Sequence, residues 1–160
     1  MAEKQERNGG LPVADRAANF FVAMEDALRR LAAGAEGLDL DGECSTPEDV
    51  RRLADALKVN ASLTTLYLYN NNFGDEGAAS LADALKVNAS LTVLNLYENN
   101  IGAEGAASLA DALKVNASLT ELHLDYNDIG AAGAASIAES LKVNTSLTKL
   151  CRAVLYNDAV

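Results

Sequence analysis

From residue 53 the apolar positions of the chain follow a pattern that changes its own period inside every 28 residues. In Leu63-x-x-Leu66-x-Leu68 the last leucines alternate with other residues, as a short half-buried strand requires. Ala78, Leu81, Ala82 and Leu85 then fall at i, i+3, i+4 and i+7, a stripe along one side of a helix. Each unit reads as strand, loop and helix. Leu53–Ser80, Leu81–Ser108 and Leu109–Ser136 repeat it without a gap, the first two agreeing at 23 of 28 positions and the second and third at 22. A fixed period of this size signals a solenoid, whose units bury their apolar faces only by stacking on one another.

The punctuation fits. Gly74 and Gly77 are expected to flank the turn into the helix, with Asp75 offering its carboxylate to N–H groups of that helix's first turn. Asn60, Asn88, Asn116 and Asn144 recur where each helix should end and read as left-handed C-caps, which also accounts for their Asn-x-Ser sequons. Asp83 and Lys86 read as a surface ion pair three residues apart.

The run LxxLxLxxNxhG, present as Leu63 to Gly74, Leu91 to Gly102 and Leu119 to Gly130, resembles the leucine-rich repeat, and the 28-residue helical unit is similar to its ribonuclease-inhibitor subclass. The resemblance implies an α/β fold: a short right-handed leucine-rich-repeat solenoid, with a parallel concave sheet, convex helices and Asn71, Asn99 and Asn127 as an asparagine ladder. The phrase LKVN-x-SL also resembles the leucine-rich domain of tropomodulin.

The ends depart from the repeat. Residues 1–10 are polar, contain Gly9-Gly10 and read as a disordered tail. In 11–34, Ala17, Phe20, Phe21, Met24, Leu28 and Leu31 share one helical stripe between Pro12 and Gly34, an N-terminal capping helix. The solenoid follows over 35–160, with a degenerate first repeat at 35–52, regular repeats at 53–136 and a truncated last repeat at 137–160. In the first, Leu38 and Leu40 mark the strand, Glu43 replaces the ladder Asn and Pro47 is expected in the loop. In the last, Leu147 and Leu150 keep phase. A bulge around Cys151-Arg152-Ala153 would then let Val154 and Asn157 resume the motif.

Charge narrows the function. The chain has 13 Lys and Arg against 23 Asp and Glu, a net charge of −10, which argues against nucleic acid as a partner. The regular repeats carry three lysines against ten carboxylates, so the negative field centres there. No apolar run approaches the roughly 18 residues of a membrane span, and the charged start lacks a secretory signal pattern. These features read as an intracellular protein without direct membrane insertion. Cys44 and Cys151 fall on the first and last strands, four strand spacings of about 4.8 Å apart, too far for a disulfide.

Because the units are nearly identical, their differences are informative. Thr65, Tyr67, Tyr69 and Asn70 become Val93, Asn95, Tyr97 and Glu98, then Glu121, His123, Asp125 and Tyr126, while the helix positions repeat almost verbatim. Strand alternation turns most of these residues onto the open face of the sheet. The face reads as a binding surface formed by Tyr67, Tyr69, Asn95, Tyr97, Glu98, Glu121, His123, Asp125 and Tyr126, with Asp39 and Asp41 beside it. Its partner would be a protein or peptide with basic and apolar groups. Tyr supplies stiff amphipathic contact area and the carboxylates attract cations. His123 reads as a surface histidine rather than a metal ligand or base, since residues two apart on a strand are about 7 Å apart and no second His or Cys adjoins it.

No nucleophile with an adjacent base, phosphate loop or spaced metal cluster is visible, so no enzyme, cofactor or metal is expected. The sequence reads as a protein-binding module, an adaptor or peripheral subunit of a multiprotein complex, using its concave Tyr/acidic face and its C-terminal end. A regulator of an enzyme or GTPase and a tropomodulin-like cytoskeletal cap are the alternatives. A face of five short strands covers only about 300 Å², below the roughly 800 Å² per partner of a stable interface, so further surface must take part.

Overall fold

The computed structural model describes residues 13–43 and 46–151, with side chains from Val22 onward. Helix α1 (Val13–Ala32) leads into β1 (Gly37–Asp39), α2 (Pro47–Leu57), β2 (Thr65–Tyr67), α3 (Gly74–Leu85), β3 (Val93–Asn95), α4 (Ala103–Leu113), β4 (Glu121–His123), α5 (Gly130–Leu141) and β5 (Lys149–Cys151). The five strands form one parallel sheet in chain order. Register advances by one repeat at each step: Leu38 pairs with Leu66, Leu66 with Leu94, Leu94 with Leu122 and Leu122 with Leu150. This is the strand-and-helix solenoid that the periodicity predicts, in the short leucine-rich-repeat form that the resemblance implies. The Ala17, Phe20 and Phe21 side chains, the tail 1–10, Cys44 and the expected bulge residues Arg152, Ala153, Val154 and Asn157 lie outside the described residues.

The core is a column of leucines. Leu63, Leu66 and Leu68, with their equivalents one and two repeats on, are at most 1% exposed, and the helix stripe Ala78, Leu81, Ala82 and Leu85 closes over them. Burying a Leu side chain contributes about 1.5–3 kcal/mol, so the strand leucines are the largest apolar term in each repeat. Met24, Ala27 and Leu31 of α1 join the same core at one end, and Leu147 and Leu150 pack against it, partly buried, at the other. Among the described residues, no helix is long and apolar enough to cross a membrane.

Two asparagine ladders hold the stack at opposite ends of the strands. In the first, Asn99 Nδ2 donates to Leu68 O (2.7 Å) in the preceding repeat and to Tyr97 O (3.1 Å), while Oδ1 accepts from Asn71 N (2.8 Å). Asn127 does the same one repeat later, reaching Leu96 O and receiving Asn99 N and Ile101 N. The second ladder replaces the expected left-handed caps. Lys86, in right-handed helical conformation, is the C-cap of α3, and Asn88 is not among the residues with positive φ. Asn88 instead donates to Leu57 O (2.8 Å) and Asn60 O (3.0 Å) of the previous repeat and accepts from Leu91 N and Ser90 N. Its carboxamide saturates carbonyls at the end of a neighbouring helix, which a C-cap confined to its own helix cannot do.

Three further details correct the sequence reading. Asp75 Oδ1 accepts from Gly102 N (2.6 Å) and Gly105 N (2.9 Å), so it caps the helix of the next repeat rather than its own. Pro47 lies in no loop: it opens α2, where the missing N–H costs nothing, behind the N-cap Thr46 whose Oγ1 accepts from Asp49 N (3.2 Å). Gly77 and its equivalents sit inside the helices: Gly77 lies under the Phe73 side chain of its own repeat, and Gly105 and Gly133 also face the helix of the preceding repeat. A Cβ on Gly105 would lie 2.6 Å from Asp75 Oδ1 and 3.0 Å from Ala78 Cβ. The Asp83–Lys86 ion pair forms as expected, at 2.9 Å, and being exposed is worth tenths of a kcal/mol.

Replacing Asn99 with Ala should therefore cost about 3 kcal/mol in urea unfolding, because it removes the donor to buried Leu68 O and the acceptor for Asn71 N, whereas Asp83→Ala should change stability by less than about 0.5 kcal/mol. Gly105→Ala improves helix propensity by about 1 kcal/mol yet should still lower the melting temperature, because overpacking the α3–α4 contact costs about 1–3 kcal/mol. A rise in melting temperature would mean that this contact is looser than its geometry implies.

Candidate functional site on the concave face

The strands place the variable residues in columns. Tyr67, Asn95, His123 and Cys151 are successive register partners, and so are Thr65, Val93, Glu121 and Lys149. All of them lie opposite the leucine core. Their exposure is graded: Tyr67 is 38% exposed, Tyr126 is 69% exposed, and Tyr69, Asn95, Tyr97, Glu121, His123 and Asp125 are half-buried by their neighbours along the columns.

The tyrosines do not make one cluster. Tyr97 and Tyr126 meet with ring centroids 4.8 Å apart and planes tilted by 47°, a contact worth about 0.5–1.5 kcal/mol beyond area. Tyr69 faces the first repeat instead. Partial burial, followed by the neighbouring Asp41, pushes its hydroxyl up to about 12. Tyr97 is also pushed above the usual phenol range, chiefly by desolvation and then by Tyr126, Glu98 and Asp125. Asn95 Oδ1 accepts from Tyr97 N (2.9 Å) and fixes the backbone that carries that ring.

Asn70, Glu98 and Tyr126 occupy one position in successive repeats, all with φ between 54° and 59°. Asn enters this left-handed region cheaply; a bulky Tyr does so at a cost of about 1 kcal/mol or more. The third repeat thus holds its most exposed aromatic residue in a conformation that the first repeat reaches with Asn.

The acidic end of the face is more internally paired than its composition implies. Glu121 Oε1 lies 2.5 Å from Lys149 Nζ and 2.5 Å from His123 Nε2. The Lys149 ammonium first and His123 second hold the Glu121 carboxyl below its usual range. His123 is also 4.0 Å from Asp125 through Nδ1 and has Cys151 beside it in register, so a cysteine does adjoin it. Side chains two apart on one strand converge here because they share a face and reach over the intervening backbone. The neighbour was legible in the sequence, since Cys151 stands 28 residues after His123.

One surface feature has no counterpart in the sequence reading. Val59, Val87, Val115 and Val143 are 61–88% exposed, forming an apolar row along the turns that lead from helix to strand. The repeated Val of LKVN, outside the buried helix stripe, was its signal.

A spectrophotometric titration should show one tyrosine ionising near pH 12 in the folded protein, and Tyr69→Phe should remove it. The unfolded chain releases this proton near pH 10 and the folded one near pH 12. Stability from this group is therefore complete below about pH 10 and is lost as pH rises towards 12. Tyr69→Phe should flatten the fall in that window.

The architecture has relatives. Among solved structures, the chain is similar to one described as Leiomodin-1 Actin-Binding Site 2 (ABS2), with a TM-score of 0.75 and 29% identity over 82% of this chain and 80% of that one. It also resembles the tropomodulin C-terminal domain of Caenorhabditis elegans, with a TM-score of 0.71 over 85% of this chain and 86% of the other, where 21% identity marks a likeness of fold alone. No curated protein sequence matches it. The family model of the TMOD/LMOD leucine-rich domain matches residues 40–157, from just after β1 through the last described strand, and the chain belongs to that family.

Proposed function

We propose that this chain is a non-enzymatic, intracellular actin-binding module that engages its partner through the concave Tyr/acidic face. The observation that carries the reading is the likeness to Leiomodin-1 Actin-Binding Site 2, which extends over four fifths of both chains in fold and reaches 29% identity. That likeness supports the cytoskeletal alternative over a regulator of an enzyme or GTPase. Divergence among near-identical repeats supports the choice of face. The helix ion pair of Asp83 and Lys86 recurs as Asp111 and Lys114, while the strand columns change.

On this reading Tyr67, Tyr97 and Tyr126 are the aromatic anchors, and Asn95 positions Tyr97. Tyr69, Asp125 and the exposed Glu98 provide the polar contacts. Glu121 and His123, already joined to each other and to Lys149, present a neutralised patch rather than a free acid. The concave face is small, and the exposed valine row is the apolar surface that would enlarge the contact towards a stable size.

Cosedimentation with actin filaments, binding to actin monomers and a polymerisation assay together test the proposal. The expected result is binding in at least one form and an altered polymerisation rate; no binding to either form and an unchanged rate would reject it. Tyr126→Asn is the informative variant. It relieves the left-handed strain and loses the Tyr97 contact, so stability should stay within about 1 kcal/mol of the parent. Affinity should nevertheless fall by about tenfold or more, since buried hot-spot aromatics are worth about 2 kcal/mol. Unchanged affinity would remove Tyr126 from the interface.

A further inference from the structure

Where β4 meets β5, the columns of the concave face change chemistry. Taking one residue, the residue two positions on and its register partner in the next repeat, the earlier strand pairs offer Tyr67, Tyr69 and Asn95, then Asn95, Tyr97 and His123. The last pair offers His123, Asp125 and Cys151, whose ligand-type atoms all lie within 4.8 Å of one another. Each comes from the variable positions, and the cysteine is a free thiol of intermediate exposure.

The histidine is arranged as a metal-binding histidine needs to be. Glu121, a carboxylate, can only accept, so His123 Nε2 carries the proton at the 2.5 Å contact with Glu121 Oε1. In the neutral ring with its proton on Nε2, Nδ1 carries a lone pair, and it lies 4.0 Å from Asp125 Oδ2. Lys149 Nζ holds the same Glu121 oxygen at 2.5 Å and fixes the carboxylate in place. A carboxylate bonded to the remote nitrogen of a ligating imidazole is the usual outer support of a zinc-bound histidine, setting its tautomer and raising its basicity.

We propose that His123 Nδ1, Asp125 and Cys151 Sγ form a binding site for a zinc-type divalent cation, with Glu121 as the positioning residue behind His123. A thiolate, an imidazole and a carboxylate form a borderline-soft set, suited to Zn²⁺ and unsuited to Mg²⁺ or Ca²⁺, which need oxygen ligands. Tetrahedral bonds of about 2.0–2.3 Å put ligand atoms roughly 3.3–3.8 Å apart, so the three groups close by about 1 Å through side-chain rotation. Three protein ligands leave the fourth position open on the concave face, for water or a ligand atom of a bound partner. The site stands independently of the actin reading.

The test is a Co²⁺ titration of the full chain after treatment with a chelator and reductant. One equivalent should produce the visible bands of a tetrahedral ion and a near-ultraviolet thiolate-to-cobalt charge-transfer band, and Zn²⁺ should displace both. Cys151→Ser should abolish the charge-transfer band while Cys44→Ser retains it. His123→Gln and Asp125→Asn should each weaken binding by at least about tenfold, and Glu121→Gln should weaken it by about 10–100-fold while keeping the charge-transfer band. Far-UV circular dichroism checks that each variant remains folded. A missing charge-transfer band, its loss in Cys44→Ser but not Cys151→Ser, or full affinity in His123→Gln would overturn the proposal.

Discussion

A buried side-chain amide that must be satisfied by the neighbouring repeat governs this structure. Asn99, fully buried, spends its carboxamide on Leu68 O, Tyr97 O and Asn71 N, and Asn116 links Leu85 O and Asn88 O to the start of its own strand at Leu119 N. A polar group withdrawn from water costs about 1–3 kcal/mol when left unpaired, so each asparagine tolerates only the spacing that puts these partners within reach. Leucine burial drives the stacking but is non-directional and would accept small slips. The two ladders convert that attraction into one register, and Asp75 reinforces it by capping the helix of the next repeat.

A fixed register makes the concave face a grid of columns whose chemistry varies independently of the fold. Positions opposite the leucines meet one another rather than the core, so Tyr67, Asn95, His123 and Cys151 could diverge without disturbing it. The divergence is not free everywhere. Tyr126 keeps a left-handed backbone that its Asn70 equivalent adopts more easily, and at 69% exposure its ring gains little from burial to offset the strain. The repeat imposes the conformation, since Asn70 and Glu98 share it, and the Tyr97 contact offsets part of its cost for Tyr126.

Membership of the TMOD/LMOD leucine-rich domain family rests on residues 40–157, the elements from α2 onward. It does not account for the polarity along the face. Tyr69 lies towards the carboxylates of the first repeat, the Tyr97–Tyr126 pair lies further along, and the last strands bring together Glu121, His123, Asp125, Lys149 and Cys151. The face passes from phenolic to ionic within five strands.

The sequence alone determined the 28-residue period, the leucine columns and the strand and helix in each unit, because these are local patterns repeated several times over, while the first asparagine ladder followed from the family resemblance. It also marked the divergent strand positions, since near-identical repeats act as their own alignment. Only the tertiary structure decided where side chains reach beyond their own repeat. Asn88 serves the preceding helix, Asp75 the following one, and Gly105 the gap between two helices. Local capping rules misassigned Asn88 and Asp75 because a solenoid unit cannot satisfy its own helix ends and borrows donors and acceptors from its neighbours. The pairing of His123 with Cys151 was implicit in the period. Its convergence with Glu121 and Asp125 was not, because rotamers on a packed face are set by the columns on either side rather than by spacing along one strand.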